Sequence, residues 1–162
     1  MHSASVATSH GFLIAPISAE FVARVRKTLR DDFGRAVRVT VAEGGEPLRD
    51  QLRRANAGER LILCSYQAVA LPSEFAEIGP VYISADLPAA TTEVDPLLNG
   101  YFNRTFAVRS YDAADRIVFS RLVEPASAAE AFRECLAQPG VAYLHTRFAG
   151  HGCFAARIER NA

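Results

Sequence analysis

Val141-Ala-Tyr-Leu-His-Thr-Arg-Phe-Ala-Gly-His-Gly-Cys-Phe-Ala-Ala-Arg-Ile-Glu159 is the stretch that decides the fold. Two alternating runs flank Gly150-His151-Gly152, which is the pattern of a strand hairpin. Val141 to Phe148 and Cys153 to Glu159 are therefore predicted as the last two strands. Tyr143, His145 and Arg147 are expected on one face of the first strand, opposite Ala142, Leu144 and Thr146. Cys153, Ala155 and Arg157 are expected on one face of the second, opposite Phe154, Ala156 and Ile158. In-register pairing would gather His145, Arg147, Cys153 and Arg157 on a single side. His151 would stand in the turn, where glycine neighbours free the backbone.

Working outward, Ser127-Ala-Ala-Glu130 reads as a capping box. It opens a helix over 128–137 with Ala131, Phe132, Cys135 and Leu136 inside, stopped by Gln138-Pro139-Gly140. Arg104 to Ser110 and Arg116 to Val123 alternate around Tyr111-Asp-Ala-Ala-Asp115, a second hairpin. Arg60 to Tyr66 is nearly all apolar and reads as a central strand; Pro80 to Ala85 is another. Asp86 to Gly100 has no clear period and is the second place to look for a site, because long irregular loops are often functional. Pro47 to Ala55 is polar and is predicted as a short helix, with Asn56 to Glu59 as a turn. Val37, Val39 and Val41 alternate as a half-buried strand. Gly11 to Ile17 is a first strand, Ser18 an N-cap, and Ala19 to Arg30 a helix. Phe21, Val22, Val25 and Leu29 line its inner arc, and Arg24, Arg26, Lys27 and Arg30 form a solvated basic face. This order predicts an α+β single domain over 11–162 with a flexible start over 1–10. One mixed or mainly antiparallel sheet of about six to eight strands carries two main helices.

The composition supports that frame. A chain of 162 residues, 49% apolar and 22% charged, needs no disulfide or metal to fold. Eighteen basic and eighteen acidic residues cancel, so nothing in the net charge favours nucleic acid or an anionic membrane. Lys27 is the single lysine among those basic residues. No run approaches the length of a membrane span, and the N-terminus lacks the basic start of a signal peptide. Three widely spaced cysteines, Cys64, Cys135 and Cys153, form no framework and point to a reducing, cytoplasmic setting.

The final hairpin is the candidate site. His145, His151 and Cys153 are the candidate catalytic residues, since a thiolate beside a base or positive charge is a nucleophile. The same three have the ligand types of a transition-metal site but no recognised spacing. Arg147, Arg157 and Arg109 are the candidates to grip a small anionic ligand. A polar sheet face with a structural cysteine is the plain alternative. Cys64 and Cys135 read as core. Asp112 and Asp115 read as turn formers. Glu74 and Glu77 are paired carboxylates with no fixed separation. No phosphate loop or nucleophile elbow is present.

Four blocks then agree in order with a known family: 58–66 (Gly-Glu-Arg-Leu-Ile-Leu-Cys-Ser-Tyr), 77–83 (Glu-Ile-Gly-Pro-Val-Tyr-Ile), 109–118 (Arg-Ser-Tyr-Asp-Ala-Ala-Asp-Arg-Ile-Val), and 141–147 through 152–154. Together they resemble a bacterial domain-of-unknown-function family, number 1203, from about Gly11 onward. The resemblance implies a small domain encoded alone. It implies no activity, substrate or cofactor. The family pattern carries a Pro-Cys-Arg-x-x-Leu-like segment where this chain reads Pro47-Leu-Arg-Asp-Gln-Leu52, so a thiol or metal role there has no cysteine to use. The resulting expectation is a small-ligand-binding domain or enzyme with its site near the C-terminal hairpin, its cofactor unknown. Two alternatives are a non-catalytic homodimeric module and a metal-binding protein through His145, His151 and Cys153.

Overall fold

The computed structural model describes residues 6–7, 10–86 and 95–161. In chain order the elements are β1 (Val6–Ala7), β2 (Phe12–Ala15), α1 (Ala19–Thr28), β3 (Arg38–Val41), β4 (Pro47–Leu48), β5 (Arg53–Arg54), β6 (Arg60–Val69), β7 (Glu77–Ser84), β8 (Phe106–Tyr111), β9 (Ile117–Val123), α2 (Ala128–Ala137), β10 (Tyr143–Phe148) and β11 (Phe154–Arg160). The expected α+β class with two main helices holds. The expected single sheet does not. Among the described residues the strands form a six-stranded sheet, β1-β2-β11-β10-β8-β9, and a five-stranded sheet, β3-β6-β7-β4-β5. Every pairing is antiparallel except β4 with β7. The periodicity of a strand reports which residues share a face, not which strands become neighbours, so one sheet and two read alike.

Each sheet carries a helix. α2 lays Ala128, Ala131, Phe132, Cys135 and Leu136 on the six-stranded sheet, against Phe12, Ile14, Phe106, Val108, Leu144, Ala156 and Ile158. α1 packs Phe21, Val22 and Val25 on Ile62, Cys64, Val81 and Ile83 of the five-stranded sheet. Ser18 caps α1 by accepting from the Phe21 amide at 3.3 Å. The capping box at α2 is not made. Pro125–Ser127 form a 3-10 turn, and the Ser127 side chain accepts no cap hydrogen bond. The basic face of α1 is not wholly solvated either: Arg26 turns inward to Asp50 (2.8 Å) and Ser84.

The predicted helix over 47–55 is absent. Leu52 donates to the Leu48 carbonyl at 2.8 Å, which closes one turn. Leu52 then adopts a left-handed backbone, φ 51°, and the chain reverses into β5 antiparallel to β4. Both leucines are buried in separate clusters, so one short excursion anchors to two layers. Its backbone is held from outside: the Arg49 amide donates to the Tyr82 carbonyl, and the Ile17 amide to the Arg49 carbonyl. Val39 and Val41 are more exposed than their alternation suggests, 61% for Val41, because β3 is a sheet edge paired only with β6. Most of the expected flexible start and residues 87–94 of the 86–100 loop lie outside the described residues. The rest of that loop is tied down, with Asn99 donating to the Leu52 carbonyl at 2.9 Å.

Candidate functional site

The final hairpin forms as expected, with β10 antiparallel to β11. His145 pairs with Arg157 and Thr146 with Ala156, but Arg147 pairs with Phe154, because a bulge inserts one residue on β11. A bulge moves every later side chain to the opposite face. It corrects the face assignment: Ala155 joins the α2 core, and Phe154 turns to the His145 side, their rings 5.0 Å apart. Gly150 (φ 92°) and Gly152 (φ 75°) take left-handed angles in the turn, which a β-carbon would disfavour. The candidate residues are thereby divided between two places.

The first place lies between the sheets. His145, 1% exposed, sits among the rings of Tyr111, Tyr143 and Phe154, each about 5 Å away. Its Nδ1 has no hydrogen-bond partner, nor does the Tyr111 hydroxyl. Burial, and then the charges of Arg157, Arg147 and Arg109, push its pKa down to about 3, so the ring is neutral. Arg147 and Arg109 both meet Glu77 of β7, at 2.6 and 2.9 Å. Arg147 also donates to the Gly152 carbonyl. Arg157 lies over the Tyr143 ring, 3.7 Å from its centroid, and pairs with Glu159. All three predicted anion-gripping arginines are thus paired with a carboxylate, Arg109 and Arg147 sharing Glu77 and Arg157 meeting Glu159. Glu77, read from sequence as half of a carboxylate pair with Glu74, is instead the counterion of this layer.

The second place is a cavity of about 710 Å³ that opens where the hairpin turn meets β4, β5 and β7. His151 and Cys153 line it; His145 does not. Its cations are Arg49, Arg54 and Arg104, and its apolar wall includes Phe148, Pro47, Pro80 and Val81. Arg49 is 3% exposed. Its Nε donates to the Phe154 carbonyl and its Nη1 to the Pro47 carbonyl, both at 2.8 Å. Its guanidinium stands over one region of the Phe148 ring, 5.1 Å from the centroid, and that of Arg54 lies 5.3 Å from the same centroid. Arg54 also donates to the carbonyls of Gly45, Gly100 and Tyr101 and to Asn103. Burial lowers the pKa of both Arg49 and Arg54, and the like charges of Arg49 and Arg104 lower that of Arg54 further. Among the described residues no aspartate or glutamate lines the cavity and none of the three arginines enters an ion pair.

Sequence reasoning named His151 and Cys153 but missed Arg49, Arg54 and Arg104. The signal available in the sequence is a local excess of arginine at 49, 53 and 54, in a stretch whose polarity predicts a helix. Among the described residues no three of His, Cys, Asp and Glu gather closely enough to hold an ion.

A small α+β protein of two sheets, with an arginine-lined cavity at one hairpin turn, is the class that fold and site define. The chain belongs to the family described as "Protein of unknown function (DUF1203)", whose model matches residues 45–160. Every residue lining the cavity falls inside that match. No curated protein and no solved structure matches the chain. No helix among the described residues is long and apolar enough to cross a membrane.

Proposed function

We propose that the protein binds a small organic anion in the Arg49–Arg54–Arg104 cavity. One observation carries this reading: three arginines converge on a cavity of about 710 Å³ that no carboxylate lines among the described residues. Clustered like charges with no counterion destabilise one another until an anion arrives. The guanidinium group matches carboxylate and phosphate geometry. The volume lies in the range of small-molecule sites, about 300–1,000 Å³. The apolar wall of Phe148, Pro47, Pro80 and Val81 favours a ligand with a flat apolar body behind its charge.

Calorimetric titration with naphthoate and with uncharged naphthalenemethanol tests the proposal. Naphthoate is expected to bind and the alcohol to bind at least about tenfold more weakly, since a charged hydrogen bond contributes about 1.5–3 kcal/mol. Equal affinity, or no binding of either, would refute it. Arg104→Ala is the informative variant because Arg104 is exposed and holds no hydrogen bond among the described residues that folding would miss.

A second reading, self-association, has its own observation. β9 is the free edge of the six-stranded sheet and leaves Val118 and Leu122 exposed. Unpaired edges recruit further strands. Sedimentation showing a concentration-independent monomer would remove it. The three free thiols support a reducing, cytoplasmic setting for either reading.

A further inference from the structure

Cys153 is set apart from the other thiols of this chain. Cys64 and Cys135 are buried in the helix-sheet cores. Burial pushes Cys64 up to about 12 and raises Cys135 as well, so both stay protonated and shielded. Cys153 is only partly buried and lines the arginine cavity. The next residue, Phe154, gives its carbonyl to the Arg49 Nε at 2.8 Å. A buried cation is thereby pinned one residue from the thiol. Among the described residues the Arg49 Nη2 has no hydrogen-bond partner, while Nε and Nη1 are both used. The remaining donor and the Arg49 charge are left for whatever enters.

We propose that Cys153 exchanges with small disulfides that carry a carboxylate beside the sulfur, forming a mixed disulfide in the cavity. This deepens the anion-binding reading and rests on it. The Cys153 thiolate attacks one sulfur of the bound disulfide. A new S–S bond forms as the original S–S bond breaks. The electron pair leaves on the departing sulfur, which takes a proton from water. Cys153 ends oxidised as the mixed disulfide, and the departing half is reduced to a thiol. Arg49, Arg54 and Arg104 act as positioning residues: they hold the carboxylate and concentrate the anionic disulfide near Sγ. Phe148 and the prolines take its organic body.

Thiol-exchange rates of the native protein decide the matter. The probes are the dianionic disulfide dithiobis(nitrobenzoate) and the neutral disulfide dithiodipyridine, each normalised to the rate of free N-acetylcysteine. The protein is expected to favour the dianionic probe by about tenfold or more over the free thiol, the lower end of electrostatic steering. The fast phase should disappear in Cys153→Ser, the preference should drop several-fold in Arg104→Ala, and naphthoate should protect. A ratio equal to that of N-acetylcysteine, or a fast thiol that survives in Cys153→Ser, would overturn the proposal. Naphthoate titration of Cys153→Ser separates the two readings. Binding there without exchange preference in the native protein leaves anion binding standing and removes the thiol chemistry. No binding in either protein removes both.

Discussion

Two arginine-rich regions meet the final hairpin, one against its strands and one at its turn, and are built on opposite terms. Arg109 and Arg147 share Glu77, and the neutral His145 beside them fills an aromatic layer between the sheets. Arg49, Arg54 and Arg104 share a cavity with no carboxylate in its wall among the described residues. Both regions stack guanidinium groups on aromatic rings, a contact worth about 0.5–2 kcal/mol. The difference is the counterion. Arginines paired with a carboxylate of the facing sheet, as Arg109 and Arg147 are with Glu77, hold the sheets together. An arginine that has only carbonyls keeps its net charge and can hold something from outside. Residue type does not separate structure from function here; charge compensation does.

The largest effect expected from that contrast is a pH dependence in the compensated region. The folded pKa of His145, about 3, lies below its usual 6.5. The unfolded chain therefore takes up the proton first. The stability it contributes is complete above pH 6.5 and is lost as pH falls toward 3, in total on the order of 5 kcal/mol. Glu59, held down to about 2 first by its hydrogen bonds with Arg53, loses stability only below its usual 4.5. Denaturant melts between pH 4.5 and 6.5 thus isolate His145, and His145→Leu is expected to flatten them. A slope unchanged in that variant would show that the layer is not sealed.

In the uncompensated region, saturating naphthoate is expected to raise stability. At a hundred times the dissociation constant the gain is about 2.7 kcal/mol, seen as a rise in Tm that Arg104→Ala reduces. Glu77→Gln comes next. It leaves Arg109 and the buried Arg147 without their carboxylate, at an expected cost of about 1–3 kcal/mol in chemical denaturation, with naphthoate affinity unchanged. Arg104→Ala without ligand is the smallest, within about 0.5 kcal/mol of the native protein. A large loss there would mean that Arg104 is structural and would blur the contrast.

The two regions were also unequally legible in the sequence. Alternation placed β10 and β11 within two residues at either end, and the 3.6-residue period located α1 and α2 with their inner faces, except Leu29, which caps α1 in a left-handed conformation and is exposed. Those are local signals. The bulge at Arg147 leaves no mark in hydropathy, since Phe154, Ala155 and Ala156 are all apolar, so the switch that sends Phe154 to His145 was invisible. The cavity depends on events further apart. Leu52 enters a left-handed turn and carries Arg49 and Arg54 to Phe148, about a hundred residues away in sequence. Such a juxtaposition is set by the pairing of β4 with β7, which no window of sequence contains. His151 and Cys153 were found because they sit on the local hairpin; the cations facing them were not.

The most direct test follows the arginine Nε–Hε resonances by NMR while naphthoate is added. Saturable shifts are expected at Arg49 and Arg54, with Arg109 and Arg147 unmoved. Shifts confined to Arg109 and Arg147, or none at any arginine, would contradict the assignment of the uncompensated cavity as the binding site.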